Sequence, residues 1–539
     1  MSVNYGNIFD AGVNICSTVP VQLRNVHIIG GGPAGLFASA LLRRSHPHAQ
    51  IVVHERSVPD DTFGFGVAFT RRTLDILASA DPAIVTSLEN ASVVMPVQEM
   101  RIGSQSVRSA GNGGGIAIAR SKLLNALLEM ARTAGVDVRF GTDVTLEDVS
   151  HADLVIAADG VGSVVRAASV DDFGAQVVHS RDMFMWLGCD QRLETNLFAP
   201  VTTDAGLFNI HCYPYDESRS TIGVEASVET WQRAGMDAWT DETPAGESDV
   251  RSIAYLQSIF GDVLGGATLL GNRSRWSKFR TVTAENWSVD NVVLIGDAAH
   301  TAHYSVGSGT KLAMEDAVSL AEALASDTSG TLQDALDAYE SERRPRVEKL
   351  QQMADRSRWW WESLGRRIDL APSVLMFAYL SRGGAVSARR LAELDPDLLA
   401  NVLAEAGLSP SLALSGDISD AVLLSPFSFR AQEFQTRILE ENTTTLTATE
   451  LPTAVTDPWG DEAHGALAAA TALVAQGTGV IVLVGDDDHE SVLDRLALAE
   501  RIRQHCGVPV AVKASAVHVD DLVAGVLAHR IDFVRFADF

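Results

Sequence analysis

The stretch NVHIIGGGPAGLFASALLRR, Asn25 to Arg44, decides the fold: a short apolar run passes into Gly30-x-Gly32-x-x-Gly35 and then into a helical run. Each glycine has a mechanical role. Gly30 permits a tight turn, Gly32 lets the backbone approach a pyrophosphate, and Gly35 lets helix and strand pack closely. The helix N-terminus, with Ala34 in its first turn, offers free N–H groups to phosphate. QIVVHER follows as a second strand and places Glu55, then Arg56, about twenty residues beyond Gly35, where a carboxylate can hold ribose hydroxyls. The spacing predicts a parallel α/β dinucleotide-binding fold and leaves the dinucleotide open.

Two further strand ends narrow the choice. ADLVIAADGVGSVVR closes an apolar strand at Asp159-Gly160, and NVVLIGDAAH closes another at Gly296-Asp297. An acidic residue at such an end, beside glycine, accepts hydrogen bonds from polyhydroxyl groups, and two of them suit FAD, whose ribityl chain needs acceptors far from its adenine. After Gly307-Ser308-Gly309, the run KLAMEDAVSLAEALAS puts Ala313, Ala317, Leu320 and Leu324 on one face, so a helix is expected from about Thr310, with Lys311 in its first turn.

The 539 residues suffice for two or three domains, and 46% apolar with 21% charged residues is ordinary for a globular enzyme. A net charge of -27 argues against nucleic-acid binding, which needs a basic face. Cys16, Cys189, Cys212 and Cys506 lie far apart without a CxxC pair, so they read as reduced thiols and no metal site is expected. The first 25 residues carry neither a basic start nor an apolar core, so no signal peptide is expected and the location reads as cytoplasmic. The uncharged run 465–485 is long enough to suggest a membrane span, but Gln476-Gly477-Thr478-Gly479 divides it into an Ala-rich helix and a β-branched strand, so no membrane association is expected.

These three nucleotide motifs, in this order and without a second GxGxxG, resemble the class A flavoprotein aromatic hydroxylases of the para-hydroxybenzoate hydroxylase type. DTFGFGVAF at 61–69, HCYPYDESRSTIGVEASVETW at 211–231 and GDAAHTAHYSVGSGTKLAMEDA at 296–317 are similar to the salicylyl-CoA 5-hydroxylase and 2-aminobenzoyl-CoA monooxygenase branch, near the flavin oxygenases of tropolone biosynthesis. The resemblance spans residues 24–395 and implies FAD as cofactor and NAD(P)H and O2 as co-substrates. It implies hydroxylation, through a C4a-hydroperoxyflavin, of an aromatic or tropone-like ring carried as a CoA thioester. It further implies that Asp297 holds the ribityl chain, that Arg120 contacts the phosphate–ribityl side and that Val144 packs on adenine. The helix opened by Gly307, Gly309, Thr310 and Lys311 would point at the flavin pyrimidine ring. Arg56 reads both as the companion of Glu55 and as a solvated arginine. Tyr304 stands where most of the wider group has proline, as in the CoA-thioester branch, and would line the ring site with Ser305. His300 and His303 read as structural or functional residues alike.

From 176 to 290 the pattern changes to alternating strands, DMFMWLGC, GLFNIHCYPYD and RSTIGVEAS, the expected β-sheet substrate domain inserted into the FAD-binding domain of 24–175 and 291–395. Period-two alternation places His211, Tyr213 and Tyr215 on one side, facing either the flavin or solvent. His211 is the first candidate for the base or acceptor beside the substrate, and Tyr213 the second. GNRSRWSKFR at 271–280 reads as a phosphate-binding cluster or as a solvated edge. The helical run 339–364 holds Trp359, Trp360 and Trp361 as packing residues. The segment 396–539 forms a small C-terminal α/β domain that resembles the opening and closing units of an old yellow enzyme barrel. About 115 residues follow position 425, against the ~250 of a closed barrel, so a truncated, flavin-free unit with a structural or homodimerising role is expected. The alternative function is a flavin-binding protein without oxygenase activity, acting through this tail.

Overall fold

The computed structural model describes residues 21–537 apart from 60–63, 111–114, 327–329, 415–417, 430–431, 441–445 and 456. Cys16, the beginning of the 61–69 motif and Arg430-Ala431 of the 396–539 segment lie outside the described residues. A six-stranded sheet of order Ser288–Val289, Val292–Leu294, Leu154–Ala157, Asn25–Ile29, Gln50–Glu55 and Asp137–Phe140 forms the nucleotide-binding layer. Its strands are parallel except for the outermost pair, and they are nearly continuous apolar runs because helices cover the sheet. Helix Pro33–Ser45 follows the first strand, and helix Gly309–Ala325 packs against it.

The second sheet has eight strands: Leu269–Leu270, Gln176–Cys189, Ser220–Ala226, Gly206–Pro214, Asn196–Thr203, Gln98–Ile102 and Gln105–Ser109 in order, with Ser277–Thr283 also paired to Gln176–Cys189. It therefore takes its far edge from residues 98–109, which the sequence places with the nucleotide-binding part. Alternation gives it two different faces. Met185, Leu187, Phe208, Ile210, Cys212, Ile222 and Val224 form an apolar face under helices Met236–Glu242 and Val250–Phe260. The opposite face carries Phe184, Trp186, Asn209, His211, Tyr213, Gly223 and Glu225.

The tail is a parallel sheet of Ala448–Pro452, Val480–Val484, Val510–Ala514 and Phe533–Phe536 in sequential order, connected by helices His464–Ala475, His489–Cys506 and Val519–Leu527. Residues 465–485 thus divide into a helix and a strand, and no described helix is long and apolar enough to cross a membrane. One core crosses residue 396: Trp360, Trp361 and Phe377 pack with Leu399, Leu496, Val512 and Val534, and with Met100 and Phe198 of the second sheet. The three tryptophans are buried at the end of helix Leu332–Glu362, which begins earlier than the charge pattern suggests because Thr331 and Asp334 form a reciprocal cap.

One ion pair inside this shared core has no access to water. Arg367 Nε and Nη2 donate to Glu500 at 2.6 and 2.7 Å, with side chains 2% and 4% exposed, and the guanidinium lies 5.5 Å over Trp360. Removing one member of such a pair leaves a desolvated charge and costs about 3–5 kcal/mol, whereas an apolar pair of similar volume is close to neutral. Glu500→Ala is therefore expected to shift the urea transition followed by tryptophan fluorescence to clearly lower denaturant, while the Arg367→Met, Glu500→Leu double variant stays near wild type.

Candidate active site

Because the central strands are parallel and adjacent, the segments leaving Leu294, Ala157, Ile29 and Glu55 emerge side by side at one edge. Three strand spacings carry this edge roughly 14 Å from Glu55 to Asp297. Gly30 sits at φ +109 with room for no side chain, since a Cβ would lie 2.3 Å from the Ala158 carbonyl oxygen. A Cβ on Gly35 would lie 2.1 Å from the Gly30 oxygen. By contrast, a Cβ at Gly32, Gly160, Gly162 or Gly307 would meet no protein atom within 4 Å, and at Gly309 only Asp297 Oδ1 at 3.7 Å. Glu55 accepts from Gly31 N–H at 2.7 Å and Ser57 N–H at 2.8 Å, which draws its carboxylate against the glycine turn. Arg56 is exposed, and Val144 is half-buried against the nucleotide-binding core.

Polar atoms at this edge lack partners. Asp159 uses Oδ2 to accept from Val164 and Val165 N–H at 2.7 and 3.3 Å, capping a short helix, while its buried Oδ1 has no partner among the described residues. The buried Ser308 hydroxyl and the Tyr304 phenol are likewise unpartnered. Neither Gly32 nor Ser308 caps its helix with a side chain, so the first-turn N–H groups at Ala34 and at Thr310 and Lys311 are open to a ligand. Such groups cost free energy when buried unpaired. A cradle of open glycine, helix N-termini and hydroxyl acceptors fits the phosphates and polyol chain of FAD.

One buried carboxylate fixes this edge. Asp316, fully buried on helix Gly309–Ala325, accepts from Gly296 N–H at 2.9 Å, from His300 Nε2 at 2.8 Å and from Arg343 Nε at 2.9 Å. Burial pushes its pKa up, but His300 and Arg343 outweigh that and hold it at about 2. His300 Nε2 is thereby committed to Asp316, while its buried Nδ1 has no partner among the described residues. Arg343 also donates to Glu315 at 3.2 Å. Arg166 ties the two acidic strand ends together, donating to Ala298 O at 2.7 Å and Val161 O at 2.6 Å. Asp297 is raised by burial, opposed by His300 and Arg120. Arg120, 177 positions earlier, is lowered by burial and raised by Asp297. Lys311 is half-buried, and burial lowers its pKa despite Glu315.

The polar face of the second sheet turns toward these loops. Tyr213 donates to Gly66 O at 2.9 Å, and Phe184 and Tyr304 have ring centroids 4.0 Å apart. His211 stacks on Phe198 at 4.4 Å, beside Tyr379. His211, Tyr213, Glu225, Arg382 and Asp297 are half-buried, and burial is the leading cause of the pKa shift of each; the region they share with the Tyr304 loop is called the chamber. Burial, with the charge of Arg382, depresses His211 to about 3; burial raises Tyr213 above the usual phenol range. Glu225 is raised well above the carboxylate range by burial and by Asp182 and Glu362, and Asp182 reaches about 7 through burial and Glu362.

Of the sequence candidates, His211, Tyr213 and Tyr304 meet at the chamber, and Gly30, Gly32, Ala34, Gly35, Glu55, Asp159, Asp297, Gly307, Gly309 and Thr310 meet at the strand edge. Tyr215 lies beyond the strand end at Pro214 and is buried against Phe65 and Ala119. His303 and Ser305 are occupied with each other at 2.9 Å, and Ser305 also meets Ser357 at 2.7 Å. In the basic cluster, Trp276 is buried in the sheet core and Arg275 donates to Thr240 O at 2.8 Å, while Lys278 and Arg280 are exposed. No described group of three or more His, Cys, Asp and Glu is arranged to hold a metal ion. Sequence reading missed Asp316, Arg343, Arg166, Glu225 and Arg382.

Comparison with known proteins agrees with this geometry. Residues 24–354 match the family described as FAD binding domain. The chain is 42% identical to a salicyloyl-CoA 5-hydroxylase of Streptomyces sp over 69% of its own length and 72% of the relative's. It is 38% identical to a 3-hydroxy-4-methyl-anthranilyl-[aryl-carrier protein] 5-monooxygenase of Streptosporangium sibiricum over 67% of its own length and 95% of that protein. Its fold matches the tetrameric form of 2-methyl-3-hydroxypyridine-5-carboxylic acid oxygenase with TM-score 0.51 at 22% identity, over 67% of this chain and 96% of that one. Relatives named as monooxygenases and hydroxylases do not favour the alternative of a flavin-binding protein without oxygenase activity. The chain belongs to the FAD-dependent aromatic hydroxylase family, and FAD is its cofactor.

Proposed function

We propose that the enzyme hydroxylates an electron-rich aromatic acid carried as a thioester, foremost a 2-hydroxy- or 2-aminobenzoyl-CoA, at the expense of NAD(P)H and O2. The carrying observation is the gathering of half-buried His211, Tyr213 and Arg382 on and beside the polar sheet face, against the Tyr304 loop that follows the Asp297 strand end. Both named relatives act on an aromatic acid joined to a carrier, which supports the substrate class.

Bound FAD supplies reduction by NAD(P)H and activation of O2; the protein binds, orients and excludes water. In this reading Glu55 holds the adenosine ribose, Val144 packs on adenine, and the turn Gly30, Gly32, Ala34, Gly35 takes the pyrophosphate, with Arg56 at its exposed margin. Asp159, Arg120 and Asp297 serve the polyol and phosphate side. The helix N-terminus at Gly307, Gly309, Thr310 and Lys311 favours negative charge at the pyrimidine ring by ~0.3–1 kcal/mol, with ~2 as the partly buried limit. Tyr304 and Phe184 wall the ring site. His211 and Tyr213 orient the substrate's ring substituent. A histidine at about 3 is uncharged across the assay range, so His211 acts as a neutral hydrogen-bonding group rather than as a titrating base.

The FAD-loaded enzyme is expected to oxidise NAD(P)H faster with 2-hydroxybenzoyl-CoA and to place one atom of labelled O2 in the product. Unstimulated oxidation and an unlabelled product across an aryl-CoA panel would sink the reading. Asp316→Asn removes an acceptor that Gly296, His300 and Arg343 share, and purified protein is expected to carry less FAD by its 450 nm absorbance; full occupancy would contradict the assigned role. His211→Gln is expected to lower kcat/KM about tenfold, the worth of one hydrogen bond of ~1.4 kcal/mol. Because the folded pKa is depressed, His211 costs stability only as pH falls from the unfolded value of about 6.5 toward 3. The shape of the kcat/KM profile between pH 6 and 9 should therefore be the same in His211→Gln and wild type.

A further inference from the structure

The chamber contains a cation that the fold does not neutralise. Arg382 follows helix Pro372–Leu380 and reaches the chamber beside His211, whose pKa it helps depress. Its Nε donates to Ser357 Oγ at 2.7 Å, Nη1 to Tyr379 O at 2.5 Å and Nη2 to Ser305 O at 3.1 Å, and it lies 3.8 Å over the Tyr379 ring. All of these partners are neutral. The buried arginines of the neighbouring long helix and its end have carboxylates: Arg343 has Asp316 and Glu315, Arg356 has Asp494 and Glu490, and Arg367 has Glu500. Among the described residues Arg382 has no carboxylate within ion-pair distance. A desolvated guanidinium without a counter-charge is costly, and the ring beneath it offsets only part of that cost.

A guanidinium has five N–H groups, and the three hydrogen bonds above, with the Tyr379 side chain beside it, do not use them all. The side chains around it are aromatic. His211 stacks on Phe198 at 4.4 Å and Tyr379 lies tilted against the same ring at 4.6 Å, forming one wall; Phe184 and Tyr304 form the other. Between them the sheet floor is Gly223, cross-strand neighbour of His211, where a Cβ would come within 3.1 Å of Phe184.

We propose that Arg382 is the specificity-determining residue that receives an anionic ring oxygen of the substrate, a phenolate next to the thioester-bearing carbon. This rests on the aryl-thioester reading above. The phenol proton is lost to the buffer when the ligand binds, and the pair formed is guanidinium with phenolate. Ionisation raises electron density on the ring, as electrophilic oxygenation requires. His211, held neutral beside the cation, adds a hydrogen bond without competing charge.

The test is ligand affinity of the FAD-loaded enzyme, read from the flavin absorbance change during titration with 2-hydroxybenzoyl-CoA and with benzoyl-CoA, which lacks the ring oxygen. Wild type is expected to prefer the hydroxylated thioester. Arg382→Gln should weaken that ligand about 30-fold or more while barely changing benzoyl-CoA, with FAD content kept. Arg382→Lys, which keeps the charge and loses the fork, should fall between, and also serves if the glutamine variant does not fold. Equal weakening of both ligands, or a preference that survives in Arg382→Gln, overturns the proposal and leaves Arg382 a fastening of the Ser305 loop. If wild type discriminates 2-hydroxybenzoate from benzoate through Arg382 but binds neither thioester, the arginine assignment stands and the thioester reading falls. If it discriminates neither pair, both fall.

Discussion

The strand edge depends on one carboxylate cut off from water. Asp316 gathers a backbone N–H from the Gly296 turn, a histidine from the same loop and an arginine from the long helix. A carboxylate there without those donors would be intolerably desolvated, and the donors without it would be orphaned. The four groups thus specify one another. This is why the turn preceding Asp297 holds a single position against helix Gly309–Ala325, and why Ala313 and Ala34 can close on Gly296, where a Cβ would lie 3.0 and 3.4 Å from their Cβ atoms.

The chamber obeys the opposite rule. Where the edge neutralises its buried charges internally, the chamber keeps groups whose titration is displaced and whose partners are incomplete: a neutral histidine, a carboxyl at Glu225 that burial raises well above the carboxylate range, and a guanidinium without a carboxylate. Such incompleteness gathers where a ligand is to supply the missing contact. The sheet makes it tolerable, because its other face is an uninterrupted apolar core.

The parts legible in sequence were those governed by local rules. Gly30 and Gly35 announce a close approach that only glycine permits, and the parallel order of strands follows from alternating apolar runs and helices. The acidic strand ends were visible because each closes an apolar run beside a glycine. Asp316 was not seen, although it interrupts the apolar face of Ala313, Ala317 and Leu320, because a charge within a helix reads as solvated until its partners are known. Arg343 and Arg382 sit in charged or loop-like segments; the carboxylates that meet Arg343 are 27 and 28 positions away, and the Ser305 carbonyl that meets Arg382 is 77 away, all on other elements. The sheet's extension to residues 98–109 was equally hidden, since pairing of Gln98–Ile102 with Asn196–Thr203 joins segments about a hundred positions apart.

The tail follows from the same physics. Arg530, buried at the foot of the C-terminal sheet, donates to Ala378 O at 3.0 Å and Ser381 Oγ at 3.3 Å, at the end of the helix that delivers Arg382. Arg382 in turn holds Ser305 and Ser357, so a chain of hydrogen bonds runs from the last parallel units to the Tyr304 loop. A buried cation without a counter-charge needs a backbone that is held in place. Helix Pro372–Leu380 has almost no exposed face because the tail covers it, and its apolar side chains belong to the core that the tail completes. The sheet of four parallel strands, too small to close into a barrel, buries the helix and holds its C-terminal carbonyls through Arg530.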